Sequence, residues 1–255
     1  MTSIDLNCDL GEIPALLRDG TDEALMRSIS SANVACGGHA GDAASMEQSV
    51  RSAMRHGVAL GAHPSYPDRA GFGRHEVAAS PSEVAAFVVT QIRALEEVAE
   101  RCGARLVHAK PHGALYHAAS RDAAIAAAIA GAVARVDASL VLVGLAGSPM
   151  LSTWSAHGRR VAAEAFADRR YEADGALRAR SQPDALITDP AAAAEQAVRI
   201  ATGRGAVASD GTVVPIQADT LCLHGDTPGA VGIARAVRAA LEGAGVQVRA
   251  LDRRV

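Results

Sequence analysis

Short apolar stretches alternate along this chain with longer stretches of helical character. The apolar stretches predict strands at residues 3–8, 32–36, 58–62, 105–109, 140–144, 160–164, 220–223 and 246–251. The stretches between them predict helices at residues 22–30, 43–56, 80–102, 121–136, 148–157, 189–202 and 228–241. Such repeated alternation is typical of a parallel sheet with helices packed outside it. We therefore expect one α/β domain over residues 1–255, a single TIM-like (β/α) barrel of seven or eight strands, with a doubly wound open sheet as the alternative.

Several short segments carry local signals for helix ends and turns. Ser80, Pro81 and Glu83 supply an N-cap serine, a first-turn proline and a capping-box glutamate, so a helix is expected to begin there. Gly57 is expected to end the helix at residues 43–56. The Ser-Asp-Gly sequence at residues 209–211 predicts a hairpin turn. Residues 165–188 are polar and too long for an ordinary connection, which indicates a functional loop.

Composition and charge narrow the possible functions. Hydrophobic residues make up 49% of the 255 residues and aromatic residues only 3%, which predicts a large aliphatic core. The net charge is −3 with no block of like charge, so the basic surface of a nucleic-acid-binding protein is missing. No signal-peptide pattern opens the sequence, and no stretch approaches the ~20 apolar residues of a membrane span. We expect a cytoplasmic enzyme with no nucleic-acid or membrane partner.

The four cysteines are widely spaced along the chain. They are Cys8, Cys36, Cys102 and Cys222, and no pair has Cys-x-x-Cys spacing. This spacing indicates neither a zinc knuckle nor a redox dithiol. We expect reduced thiols that are mostly buried.

Polar clusters follow directly after six of the predicted strands. They occupy residues 7–12, 36–42, 61–64, 110–113, 164–171 and 224–226. In a parallel barrel every carboxyl end of a strand opens on the same face. These clusters are therefore expected to converge on one active site, although they are spread over most of the chain.

Histidine is the most frequent candidate for chemistry in these clusters. His39, His63, His112 and His224 each follow a strand end, where they could transfer protons or bind a metal. Lys110 could hold a carboxylate or a developing oxyanion, the alternative being an ion pair with a nearby acid. The remaining histidines favour structural roles: His108 in the core, His56 and His157 at helix ends, and His75 and His117 outside the strand-end pattern.

Motifs in the sequence bear on metal binding and on nucleotide binding. Asp9, His39 and His63 could form a carboxylate-plus-two-histidine metal set, although their spacing does not fix the geometry, so a bound metal stays unknown. The chain has no P-loop for ATP and no His-Glu-x-x-His motif. Residues 144–148 lack the second glycine of a nucleophile elbow, because Met150 stands in its place.

Taken together, the clusters resemble the LamB/YcsF family. The matching segments, in chain order, are Asp5 to Glu12, Ser31 to Asp42, Gly61 to Ser65, Lys110 to Tyr116, Glu164 to Arg169 and Cys222 to Asp226. They are spread along nearly the whole chain, from Asp5 to Asp226. Two positions depart from the family pattern: Gly38 stands where phenylalanine is frequent, and His117 where asparagine is common.

The resemblance implies a barrel related to the glycoside hydrolase/deacetylase barrels. It also implies the A component of a bacterial 5-oxoprolinase, which opens the lactam of 5-oxoproline to L-glutamate with ATP and with subunits B and C. The missing P-loop agrees with ATP being handled mainly on a partner. Two alternatives stay open, a stand-alone metal-dependent deacetylase or amidohydrolase, and a non-catalytic substrate-binding subunit.

Eleven residues are expected to form the site. The expected catalytic residues are Asp9, His39, His63, Lys110, His112 and His224. The expected substrate-binding residues are Asn7, Asn33, Asp168, Arg170 and Asp226. In this scheme Asp9 or His39 is the base, Lys110 and His112 stabilise the anionic centre, and Arg170 pairs with the substrate carboxylate.

Overall fold

The computed structural model describes residues 2–252. Its strands are β1 (Ser3–Leu10), β2 (Ser31–Ala35), β3 (Ala59–His63), β4 (Leu106–Ala109), β5 (Val141–Leu145), β6 (Val161–Phe166), β7 (Ala206–Val207), β8 (Val213–Val214), β9 (Thr220–His224) and β10 (Gln247–Val248). Its helices are α1 (Pro14–Arg18), α2 (Thr21–Met26), α3 (Ala43–His56), α4 (Pro81–Arg101), α5 (Gly113–Arg121), α6 (Ala123–Val136), α7 (Pro149–Ala156), α8 (Pro190–Ala201) and α9 (Ala230–Gly243). The predicted domain also includes Met1 and residues 253–255, which lie outside the described residues.

The main sheet closes into a parallel barrel. Within residues 2–252, seven strands pair in the order β1-β2-β3-β4-β5-β6-β9, and β9 pairs with β1 to close the ring. The short strand β10 pairs with β1 at Ser3 and Ile4, just before β9 takes over that edge at Asp5. The predicted TIM-like barrel is therefore confirmed, and the open-sheet alternative is wrong. The predicted hairpin is also present, as the antiparallel pair β7 and β8.

Helix ends follow the local sequence signals where the chain offers a strong cap. Ser80 accepts a hydrogen bond from the backbone N–H of Glu83, and the Glu83 side chain accepts one from the N–H of Ser80, as the capping box predicts. The sequence missed α5 because it predicted a single helix starting at residue 121. The structure has two helices there, because Asp122 adopts extended backbone and caps α6 with its side chain.

The strands of the barrel are largely buried on both faces, and β1 shows how. Ile4, Leu6, Cys8 and Leu10 belong to the hydrophobic core between the sheet and the helices. The residues between them point to the opposite face, since side chains alternate along a strand. Those alternate residues, Asp5, Asn7 and Asp9, are polar and buried inside the barrel.

A hydrogen-bonded polar network fills the barrel interior. At its lower end Asp5 accepts hydrogen bonds from the hydroxyls of Ser31 and Thr220, and burial raises the pKa of Asp5. One step higher, the amide of Asn7 donates to Thr220 Oγ1 at 2.7 Å and to Glu164 Oε1 at 3.1 Å. Because buried polar groups are stable only when paired, this network holds its members in fixed positions.

His108 is a packed interior residue, as the sequence predicted. It is 1% exposed, and its Nε2 donates to Asn33 Oδ1 at 2.7 Å. Burial lowers the pKa of His108 to about 3, so the ring is neutral. Gly61 makes room for it, since a Cβ at that position would lie 2.0 Å from His108 Nε2.

Candidate active site

A cavity of about 350 Å³ opens at the carboxyl ends of the barrel strands. Five of the predicted catalytic residues line it: Asp9, His63, Lys110, His112 and His224. Five of the six strand-end clusters therefore converge on the cavity as predicted, whereas the cluster at residues 36–42 contributes no lining residue. The volume lies within the range of small-molecule sites, and the position is the one where barrel enzymes place their chemistry.

A buried lysine lies at the floor of this cavity between two carboxylates. Lys110 is 3% exposed, and its Nζ lies 2.9 Å from Asp9 Oδ1 and 2.9 Å from Glu164 Oε1. Burial disfavours the ammonium charge, but the Asp9 and Glu164 carboxylates outweigh burial and raise the pKa of Lys110 well above its usual value. Tyr116 donates its hydroxyl to the other Glu164 oxygen at 2.9 Å, so neither oxygen of that carboxylate is left without a partner.

Asp9 is held as an anion with one oxygen turned toward histidine. Its Oδ1 accepts from Asn33 Nδ2 at 2.8 Å and from Lys110 Nζ, while its Oδ2 lies 3.3 Å from His63 Nε2. Burial alone would raise the pKa of Asp9, but the charges of His63 and Lys110 outweigh it and hold this pKa well below its usual range. The same carboxylate outweighs burial of His63 and raises the pKa of that ring. Asp9 is therefore a buried carboxylate that its neighbours keep ionised.

Three histidines and Glu12 meet beside Asp9. Glu12 Oε1 lies 2.7 Å from His39 Nε2, 3.2 Å from His112 Nδ1 and 3.7 Å from His63 Nε2. His63 Nε2 and His112 Nδ1 are 2.9 Å apart. Burial opposes the charge of Glu12, but its contacts with the His112 and His39 rings outweigh burial and lower the pKa of this carboxyl.

His39 lies behind this group and does not line the main cavity. It is 2% exposed, and its ring stacks on His112 with centroids 3.6 Å apart. Burial lowers the pKa of His39 to about 4, so the neutral ring donates from Nε2 to Glu12. The expected role of His39 as a base is not tested by this arrangement.

His224 is oriented by Asp168. The backbone N–H of His224 donates to Asp168 Oδ2 and its ring Nδ1 donates to Oδ1, both at 2.9 Å. The Thr227 hydroxyl adds a third bond to the same carboxylate. Burial would raise the pKa of Asp168, but His224 outweighs it and lowers this pKa. Asp168 therefore fixes the histidine that lines the cavity, with Phe166 stacked at 5.7 Å from that ring.

Arginines surround the opening of the cavity. Arg74 pairs with Asp226 at 3.2 Å, and Arg178 pairs with Glu172 and Asp184. In the part of the chain that the structure describes, no carboxylate lies within 4.0 Å of the guanidinium of Arg169 or Arg180. Arg169 is 5% exposed, and burial followed by the charge of Arg180 lowers its pKa to about 10. These two arginines remain available to an anion.

The predicted substrate-binding residues fall in different places. Asp226 lines the cavity, whereas Asn7 and Asn33 lie below it in the barrel interior, where they hold Asp9 and Lys110. Arg170 is not among the lining residues, but its neighbour Arg169 is. The extended chain at residues 168–170 pairs with residues 185–187, and adjacent side chains on an extended segment point in opposite directions.

Sequence reasoning assigned no role to several residues that shape the site. Glu12, Glu164, Tyr116 and Arg169 were all inside or beside the quoted clusters, but nothing in their spacing gave their contacts. Glu164 carried the clearest signal, since a glutamate within an apolar strand is buried only when it is paired.

Ligand atoms suited to a metal gather in two groups within the described residues. One group is Glu12, His39, His63 and His112, and the other is Asp9, Cys222 and His224. The predicted set of Asp9, His39 and His63 therefore does not form one cluster.

Because Cys8, Cys36 and Cys222 are buried free thiols and Cys102 is partly buried, the expectation of reduced cysteines agrees with the structure.

Asp22 supports the loop that carries Glu12 and gives a pH-dependent prediction. Its Oδ2 accepts from the Gly11 N–H at 2.9 Å, and burial, followed by Glu12 and Asp19, raises its pKa to about 6. Because the native pKa exceeds the unfolded value, the contribution of Asp22 to stability is greatest below about pH 4 and is lost as pH rises through 6. We expect Asp22→Asn to raise the free energy of unfolding by about 1–3 kcal/mol at pH 8 and by less at pH 5. Urea unfolding at both pH values measures this, and a pH-independent difference would contradict it.

A closed parallel barrel with an acid–base site at its strand ends defines this protein as a TIM-like barrel enzyme. Within the described chain, no helix is long and apolar enough to cross a membrane. The chain belongs to the LamB/YcsF family, whose model matches residues 4–255.

Its relatives are similar over almost their full length. The A component of the 5-oxoprolinase of Chloroflexus aggregans is 53% identical, covering 98% of this chain and 99% of the relative. The corresponding 5-oxoprolinase component of Bordetella pertussis is 52% identical, covering 97% and 98%. Among solved structures, the lactam utilization protein from Thermus thermophilus is 47% identical, with a TM-score of 0.91, covering 98% of this chain and all of that one.

The two departures from the family pattern have different surroundings. A Cβ on Gly38 would lie 2.3 Å from both Ser65 Oγ and Gln91 Oε1, so no side chain fits there in this structure. The Gln91 side chain fills that space. Its Oε1 accepts a hydrogen bond from the Ser65 N–H, and its Nε2 donates one to the Ser65 carbonyl. His117 instead lines the cavity, and burial lowers its pKa.

Proposed function

We propose that this chain is the A component of a 5-oxoprolinase, which opens the lactam ring of 5-oxoproline to L-glutamate. The observation that carries the proposal is the near-full-length similarity to proteins bearing that name. ATP hydrolysis in the complex drives the reaction, and partner subunits B and C handle the nucleotide. We place the reaction in the cytoplasm, where ATP is available.

The chemistry of a lactam explains why the reaction needs ATP. A lactam carbonyl is a weak electrophile, and its amine is a poor leaving group. Transfer of the terminal phosphoryl group of ATP to the lactam oxygen would give ADP and an activated ring carbon. Water then adds to that carbon, the ring nitrogen leaves as a protonated amine, and a second water releases phosphate from the acyl phosphate. The steps after activation need a base, an acid and cationic support, which the cavity supplies.

Asp9 and His224 are the proposed proton-transfer groups. Asp9 Oδ2 faces the cavity side near His63 Nε2, and its paired oxygen is fixed by Lys110 and Asn33. A carboxylate fixed in this way accepts a proton from water, and His224, which Asp168 orients at the cavity wall, supplies one to the departing nitrogen. Lys110 keeps Asp9 ionised and adds positive charge beneath the reacting carbon.

Arg169 is the proposed partner of the substrate carboxylate. Its Nη2 donates to the Arg178 carbonyl, which holds the guanidinium in place, while its Nε is buried without a hydrogen-bond partner. The Gln196 side chain anchors the loop by donating to the carbonyls of Phe166 and Arg169. A buried guanidinium with a free donor binds an anionic ligand strongly, because water does not compete for it.

We expect Arg169→Gln to raise KM about ten- to hundredfold with a smaller change in kcat. A change of this size corresponds to the loss of one charge-assisted hydrogen bond to the substrate carboxylate. Arg170→Gln is the matched comparison, because that neighbour does not line the cavity. Steady-state kinetics of the reconstituted complex measure both constants. A raised KM for Arg170→Gln alone would restore the assignment made from the sequence.

Glutamate release by the purified chain, with and without subunits B and C, tests the proposed function. We expect ATP-dependent release of glutamate and phosphate only when all subunits are present. Robust turnover of 5-oxoproline by this chain alone would contradict the proposed complex. Full activity of a complex carrying Asp9→Asn would instead favour a non-catalytic binding subunit. Release of acetate from acetylated sugars by the isolated chain would favour a stand-alone deacetylase.

A further inference from the structure

We infer that Glu12, His63 and His112 form a binding site for one divalent transition-metal ion. Their three facing atoms are Glu12 Oε1, His63 Nε2 and His112 Nδ1, separated by 2.9, 3.2 and 3.7 Å. Ligands on a tetrahedral ion with bonds of about 2.0–2.1 Å lie about 3.4 Å apart. The three atoms therefore already surround a point at bonding distance from each of them.

The backbone fixes which ring nitrogens can bind a metal. His63 Nδ1 lies 2.7 Å from the Lys110 carbonyl, and His112 Nε2 lies 2.9 Å from the Phe72 carbonyl. A carbonyl oxygen only accepts, so each of these nitrogens carries the proton. The opposite nitrogens, which face each other and Glu12, then present lone pairs. Backbone carbonyls hold metal-ligating histidines in this way in known sites.

The facing lone pairs need a positive centre between them. Two ring nitrogens 2.9 Å apart and a carboxylate oxygen repel one another unless a proton or a cation lies among them. The ring planes of His63 and His112 are 85° apart, which lets both lone pairs point at a common position. Two histidines and one carboxylate are a ligand set typical of catalytic zinc and of other divalent first-row metals, with further positions open to water or substrate.

His39 supports this site without binding the ion. Its ring is parallel to His112, with 4° between the planes and 3.6 Å between the centroids. An ion in the plane of one stacked ring lies outside the plane of the other, so both cannot ligate it in this arrangement. His39 Nε2 instead donates to Glu12 Oε1 at 2.7 Å and orients the carboxylate.

This inference does not rest on the proposed function, because binding is measured without substrate or partner subunits. The full chain, purified without a polyhistidine tag and stripped with EDTA, is titrated with Zn²⁺ and with Co²⁺. We expect the chain to bind one equivalent of either ion. The bound Co²⁺ should show visible absorption of the intensity typical of a tetrahedral site. Absence of binding at about 100 μM free Zn²⁺ would overturn the inference. A site that stays mostly empty at this concentration has a Kd in the millimolar range.

Variants separate this site from adventitious binding. We expect Glu12→Gln and His112→Asn to weaken metal binding more than a hundredfold, and His39→Asn to weaken it about ten- to hundredfold as an outer partner. His157→Asn, at the exposed end of α7, is the control and should bind as the unmodified chain does. Melting curves establish whether each variant is folded. If His112→Asn is unstable, Glu12→Gln still tests the site, because glutamine keeps the shape of the side chain. Unchanged affinity in both Glu12→Gln and His112→Asn would overturn the site, and complete loss in His39→Asn would overturn the three-ligand assignment.

Discussion

Replacing Asp9 by asparagine is expected to lower kcat of the reconstituted complex by about a thousandfold or more. Asp9 is the carboxylate that Lys110 and His63 keep ionised at the cavity floor, with one oxygen directed toward His63. Asparagine has nearly the same shape, but its amide cannot accept a proton near neutral pH. Loss of a general base alone costs roughly a hundred- to ten-thousandfold, and the Lys110 ammonium also loses one of its two carboxylate partners.

The measurement is single-turnover glutamate release, which separates the chemical step from product release. Asp42→Asn is the matched control, because Asp42 caps α3 at an exposed position and asparagine caps a helix equally well. A complex with Asp9→Asn that keeps more than about a tenth of normal kcat would remove Asp9 from the chemistry, since even a weak general base contributes more than that.

Replacing Lys110 by methionine is expected to reduce both stability and activity. The sequence leaves two roles for Lys110, the binding of an anion or an ion pair with a nearby acid. The structure buries Lys110 in ion pairs with Asp9 and Glu164. Removing one partner of a buried ion pair leaves the other charge uncompensated, which costs about 3–5 kcal/mol. We therefore expect a lower free energy of unfolding by that amount, together with loss of turnover by about a hundredfold or more.

A second substitution separates the two effects. In the double variant Lys110→Met with Glu164→Gln, one of the two carboxylates left without the lysine becomes neutral, so most of the lost stability should return. Activity should not return, because Asp9 still lacks the cation that holds it ionised. Urea unfolding and glutamate release report the two quantities independently. If the double variant regained activity along with stability, Lys110 would be a structural residue only.

The polar strand ends were readable from the sequence because their pattern is local. Side chains alternate along a strand, so the residues between Ile4, Leu6 and Cys8 had to share a face. The carboxyl ends of parallel strands share one side of a barrel, so the clusters after them had to converge. Neither inference needs the path of any loop or the tilt of any strand.

The partners of each side chain could not be read in the same way. Asn33 lies beside Asp9 because the register of β1 and β2 pairs these two residues, and a shift of one residue would turn Asn33 to the other face. Glu164 reaches Lys110 across the interior from β6, a strand that is not adjacent to β4. Such contacts depend on the tilt and stagger of the closed barrel, which no local pattern specifies.

The sequence by itself determined the barrel class, the polar mouth and six of the residues that line it, because hydrophobic period and strand direction depend on neighbours along the chain. Only the tertiary structure decided that Arg169 rather than Arg170 reaches the cavity, since the pairing of the loop with residues 185–187 sets which side chain faces inward. Only the tertiary structure brought Glu12 to His63 and His112. Those contacts join loops and strands far apart in sequence, and their distances arise when the ring of strands closes.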